Sequence, residues 1–174
     1  VIASAHALYH LGHVRAPTTK ISNFSGCHPF QYGRAIAAHN GIITNTLNLE
    51  TKEAYQPEVD SEWIPFLYNK PQTKFVTAFG KFQSALERLE GTYGTWLHDT
   101  SSRTILVGRG DNTIYWNADN TMFSSKAISN YGIENLMHNG SIYMGCLGDN
   151  SSPRFSDVNV DNRIQRKPKY FIPN

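Results

Sequence analysis

A chain of 174 residues is long enough for one domain with a sizeable core and short for two. Apolar residues make up 40% and charged residues 17%, a balance that is globular in apolar content but light in charge and suits a sheet-rich protein with many turns. A net charge of +2 without a concentrated basic stripe argues against nucleic acid as a partner, and no apolar run approaches the length of a membrane span.

Cys27 and Cys146 form no Cys-x-x-Cys pair, so neither a zinc knuckle nor a disulfide framework is expected, and a reducing, cytoplasmic setting is. Val1-Ile2-Ala3-Ser4-Ala5 lacks the basic start and long apolar core of a signal peptide. It also lacks an initiating Met, so processing or missing upstream sequence is expected.

Along the chain, Val1 to Val14 is apolar with scattered His and predicts a short helix or strand, broken at Ala16-Pro17-Thr18-Thr19. Arg34 to Ile43 predicts an apolar strand ending in a tight turn at Asn40-Gly41, a pair that readily takes positive φ. Asp60-Ser61-Glu62 is a helix start with Trp63, Ile64, Phe66 and Leu67 as the buried face, and Pro65 fits only in the first turn. Lys74 to Glu90 sets Phe75, Phe79, Phe82, Ala85, Leu86 and Leu89 at helical spacing, with Gly91 closing the helix.

From Tyr93 the pattern alternates and turns, predicting sequential antiparallel strands at residues 94–98, 104–108, 113–116 and 121–125. A short helix is expected from Lys126 and a last strand over 141–145. After Gly148 the chain turns polar, and Arg163, Arg166, Lys167 and Lys169 precede Tyr170-Phe171-Ile172. The expected organisation is one domain over 1–148 and an extended or disordered basic tail over 149–174.

Three polar clusters stand at the ends of apolar segments: Gly12-His13-Val14-Arg15-Ala16-Pro17-Thr18, Ala38-His39-Asn40-Gly41-Ile42-Ile43-Thr44-Asn45 and Val59-Asp60-Ser61-Glu62. Arg15 offers a fixed fork for a carboxylate and Asp60 a counter-charge for an ammonium, the two ends of an amino acid. Asn40 with the N–H of Gly41 offers two donors to an oxyanion. Such a set holds an α-amino acid and stabilises a tetrahedral intermediate at its side chain.

With His28-Pro29-Phe30 included, the ordered motifs from Gly12 to Glu62 resemble the glutaminase domain of class II glutamine amidotransferases, the family of glucosamine-6-phosphate synthase and amidophosphoribosyltransferase. Weaker similarity continues to Gly148. The resemblance implies an α+β fold, the four-layer αββα sandwich of antiparallel sheets found in N-terminal-nucleophile hydrolases, incomplete at its N terminus. It implies that Arg15 binds the glutamine α-carboxylate, Thr18 lines the pocket, Asn40 and Gly41 form the oxyanion hole and Asp60 holds the α-ammonium. His28 occupies a motif position and is placed among the substrate-binding residues. Glutamine is the implied ligand, with no cofactor, and with an acceptor-binding domain or companion chain as the implied partner; oligomer formation stays open.

Family members begin with a cysteine whose thiol attacks the glutamine amide, and their Gly-His-x-Arg strand lies several dozen residues further on. Here Val1 is first and eleven residues precede Gly12, so the nucleophile and the opening strands are expected to lie outside this sequence. The alternative is an inactive structural or glutamine-binding descendant. Ala16 and Thr19 replace the Trp and His of many relatives, which implies a reshaped pocket. Cys27 beside His28 is disfavoured as a dyad, since neighbours in an extended segment face opposite ways, and a packed thiol is expected instead. His6, His10 and His13 have the i, i+4, i+7 spacing of a helical zinc site, but a strand at His13 breaks that geometry and no metal is expected.

Overall fold

The computed structural model describes residues 9–14, 26–71, 76–148, 153–161 and 163–164. Strand β1 (Phe30–Tyr32) turns through Gly33 into β2 (Ala35–Ile43), which pairs over its nine residues with β3 (Gly91–Asp99). The sheet continues through β4 (Thr104–Gly110) to β8 (Ile142–Cys146) and β9 (Ser156–Asp157), giving the order β1-β2-β3-β4-β8-β9 with every pairing antiparallel. A second sheet, ordered β6-β5-β7, holds β5 (Tyr115–Asn117), β6 (Phe123–Ser124) and β7 (Ile133–Leu136).

Helices α1 (Thr46–Glu53), α2 (Trp63–Asn69) and α3 (Ala78–Glu87) belong to one side of the large sheet. Alternation along each strand divides the core. Ala35, Ala37, Tyr93, Leu97, Leu106 and Ile142 meet Trp63, Ile64, Leu67, Phe82 and Leu86 of the helices. On the opposite face Trp96, Ile105, Val107 and Tyr143 meet Ile114, Trp116, Phe123, Met137 and Phe155. The architecture is therefore α+β, with helices, a large antiparallel sheet and a small antiparallel sheet as successive layers. A cavity of about 640 Å³ remains between the sheets, walled by apolar residues including Trp96, Ile105, Val107, Met122, Phe123 and Phe155.

Several sequence expectations change. Residues 9–14 form neither helix nor strand. The predicted helix over 74–90 is α3, begun by Thr77, whose side chain accepts the Gly80 N–H, and its predicted residues 74 and 75 lie outside the described ones. Gly91 does not cap it. It opens β3 with φ +118° because its missing side chain would meet the Ile42 carbonyl at 2.0 Å.

The strands are not one sequential meander either. β4 pairs with β8, and β5 joins the separate sheet. The short helix expected at Lys126 is a 3₁₀ turn at Ser129–Tyr131. Within the stretch expected to be a tail, β9 adds to the large sheet, Phe155 and Ile164 are buried, and Arg163 pairs with Asp157 at 2.7 Å. Phe155 and Ile164 join the two halves of the core, one each.

A candidate functional site at the end of the β2 strand

The β2 strand does not turn at Asn40-Gly41 as expected; it runs on to Ile43 with an irregularity at Gly41, where φ is +140°. A side chain there would place its Cβ 2.1 Å from the Thr92 carbonyl oxygen and 3.0 Å from His39 Nε2. Only glycine lets β2 press this closely on β3. The Ile42 N–H turns to the Thr92 hydroxyl at 3.3 Å, and the Thr92 carbonyl takes the ring N–H of His39 at 3.2 Å.

A 3₁₀ turn, Asp60–Glu62, leads into α2 and lies beside this strand end. Glu62 reaches back to the Val59 N–H at 3.0 Å, the half of a capping box that orders the turn. Pro65 is the third residue of α2, in its first turn as required, while Phe66 is only partly buried and stacks on Tyr55 at 4.1 Å. Burial, reinforced by Glu62, pushes the Tyr55 hydroxyl up to about 12.

Two polar clamps fasten the turn to β2. Asp60 Oδ2 accepts the Ile43 N–H at 2.8 Å, and Ser61 Oγ lies 2.9 Å from His39 Nδ1. Asn40 and Gly41 fall between the clamped positions 39 and 43. Together these residues wall a cavity of about 700 Å³, shared with His13, His28, Thr46, Glu50 and Glu58. Its described lining carries three carboxylates and no Lys or Arg, so it favours a cationic group.

No family profile matches the chain. Similarity is found to glutamine–fructose-6-phosphate aminotransferases (isomerizing): that of Sulfurisphaera tokodaii is 29% identical over 111 residues, 60% of this chain and 19% of the relative. That of Streptococcus pyogenes serotype M3 is 30% identical over 107 residues, 57% of this chain and 18% of the relative. The chain thus spans about a fifth of these relatives' length. Among solved structures, the allosteric regulatory enzyme of purine biosynthesis matches with TM-score 0.65 at 15% identity, over 86% of this chain and 35% of that one. The glutamine phosphoribosylpyrophosphate amidotransferase from B. subtilis, complexed with ADP and GMP, matches with TM-score 0.62 at 16% identity, over 86% and 34%. At these identities the structures establish the fold. The chain is a class II glutamine amidotransferase-like domain.

Of the residues singled out from sequence, the amidotransferase-like domain brings His28, Asn40, Gly41 and Asp60 to one cavity. Arg15 and Thr18 lie outside the described residues. The His28 ring lies tilted against His13 with centroids 4.1 Å apart and edge-on to Phe30 at 4.8 Å. His10 and His13 share no helix, and His6 lies outside the described residues. Cys27 and Cys146 are exposed rather than packed, and neither lines this cavity.

His39, Ser61, Thr92, Glu50 and Glu58 were not singled out as site residues. For His39 and Ser61 the signal was present, since both stand inside the His-Asn-Gly and Asp-Ser-Glu motifs. Their bond spans 22 positions, which no local pattern reveals.

Proposed function

We propose that this domain is the glutamine-binding part of a glutaminase that hydrolyses glutamine to glutamate and ammonia, completed by a cysteine nucleophile outside the 174 residues. The observation that carries the reading is the pairing of Asn40 and Gly41 with Asp60 in one carboxylate-rich cavity. A glutamine α-ammonium would sit on Asp60, whose Oδ2 is already anchored on the Ile43 N–H, and Arg15 would take the α-carboxylate. The side-chain amide would then lie against Asn40 and the Gly41 N–H.

Attack by the thiolate on the amide carbon places negative charge on the amide oxygen, and these donors stabilise it. The C–N bond then breaks, the nitrogen leaves as ammonia after taking a proton, and water hydrolyses the remaining thioester to glutamate. Ammonia would pass to an acceptor-binding domain or companion chain. We place the protein in the cytoplasm; no helix among the described residues is long and apolar enough to cross a membrane.

The second reading, a glutamine-binding descendant without turnover, draws on the exposure of Cys27 and Cys146 away from the cavity. Ammonia release by the native full-length protein separates the two. Release that is abolished by a thiol reagent supports the glutaminase, and glutamine binding without release supports the descendant.

A further inference from the structure

We propose that His39 is a positioning residue that locks the oxyanion donors Asn40 and Gly41 to the ammonium-binding carboxylate Asp60, acting through Ser61 and Thr92. The inference rests on the glutaminase reading of this site. His39 and Ser61 are each 3% exposed, so their bond is sheltered from water.

Partner chemistry fixes the hydrogen on one ring nitrogen. The Thr92 carbonyl can only accept, so His39 Nε2 carries the hydrogen; with the ring neutral, as the proposal takes it, Nδ1 accepts the Ser61 hydroxyl. The serine has one proton to give. Its other acceptor is Asp60 Oδ1, at the longer distance of 3.3 Å. When the serine donates to Nδ1, Asp60 Oδ1 keeps its lone pairs for a ligand ammonium.

The position of the ring matters equally. Nε2 is 3.0 Å from where a Gly41 side chain would begin, so the His39-to-Thr92 bond forms a floor beneath the Gly41 backbone. One imidazole therefore joins β2, β3 and the Asp60 turn directly under the proposed donors. Its two arms have different tasks: the Nδ1 arm sets Ser61 and with it Asp60, and the Nε2 arm supports Gly41.

Two isosteric substitutions separate the arms. His39→Asn keeps an acceptor near the Nδ1 position and loses the donor to Thr92, whereas His39→Gln keeps a donor near Nε2 and loses the Ser61 arm. The experiment measures L-glutamine turnover and ¹⁵N spectra of the imidazole and of the Gly41 amide in the full-length protein, with folding checked by circular dichroism. His39→Gln and Ser61→Ala are expected to raise KM about tenfold with a much smaller fall in kcat, and His39→Asn to lower kcat about tenfold with KM nearly kept, each factor reflecting one lost hydrogen bond. Equal loss in both variants, or no loss in either, overturns the proposal. If the wild type neither binds nor turns over glutamine, the glutaminase reading falls and the spectra decide: an Nε2-protonated wild-type ring with a Gly41 amide that moves in His39→Asn retains the lock. An Nδ1-protonated ring, or a Gly41 amide that stays, removes it.

Discussion

Replacing Gly41 by Ala tests how tightly the site is built. The new Cβ would stand 2.1 Å from the Thr92 carbonyl oxygen, and real Cβ contacts essentially never fall below 3.0 Å, so the strand ends must part by about 0.9 Å. Alanine must also adopt φ near +140°, at a cost of about 1–3 kcal/mol, and the overpacking adds about 1–3 kcal/mol. The two costs together come to about 2–6 kcal/mol, or on the order of 10 °C in Tm for a domain of this size. If the Gly41 N–H serves the reaction, moving it by nearly 1 Å lowers kcat by about 10²-fold at temperatures where the variant is fully folded. Thermal unfolding and ammonia release measure the two effects separately. A variant within about 0.5 kcal/mol of wild type refutes the close approach of β2 to β3, and a stable loss with unchanged kcat refutes the role of Gly41 as a donor.

Other tests address the scaffold. The Tyr68 hydroxyl donates to buried Asp99 at 2.5 Å, so Tyr68→Phe is expected to cost about 1.5–3 kcal/mol in urea unfolding. Burial raises the Asp99 carboxyl, but the bonds from Tyr68, Ser101 and Ser102 outweigh it and hold the group below its ordinary value. A depressed folded value makes this contribution complete above the unfolded value of about 3.9 and lost as pH falls through the folded one, so Asp99→Asn should flatten the stability profile below pH of about 4. The Glu53 side chain is 5% exposed and pairs with Lys70 and Arg88, tying the ends of α1, α2 and α3 together. Glu53→Gln is expected to cost about 2 kcal/mol in the same assay, with half-exposed Lys70 contributing the smaller part.

Much of the large-scale order was legible because it is written in local periodicity. Phe82, Ala85, Leu86 and Leu89 announced α3, and the alternation from Tyr93 onward announced β3 and β4. Helix α1 left no such trace, since Leu49 is its only buried side chain. The strands β1, β7 and β9 are two to four residues long, too short for a period to register. The pairing of β4 with β8 across an inserted sheet is a non-local choice set by packing. At the site, residue chemistry pointed to Asn40, Gly41 and Asp60, whereas the clamps that hold them depend on contacts between distant segments. The turn predicted at Asn40-Gly41 failed because Gly41 serves close strand packing rather than chain reversal.

The most direct test of the central claim is calorimetric titration of the native full-length protein with L-glutamine, set beside Asp60→Asn. Asparagine can still accept the Ile43 N–H, so the fold is retained while the charge is lost. The account predicts saturable binding by the wild type and an affinity at least about tenfold weaker in the variant, as expected for loss of a charge-assisted bond. Absence of binding by the wild type, or equal affinity in Asp60→Asn, would contradict it.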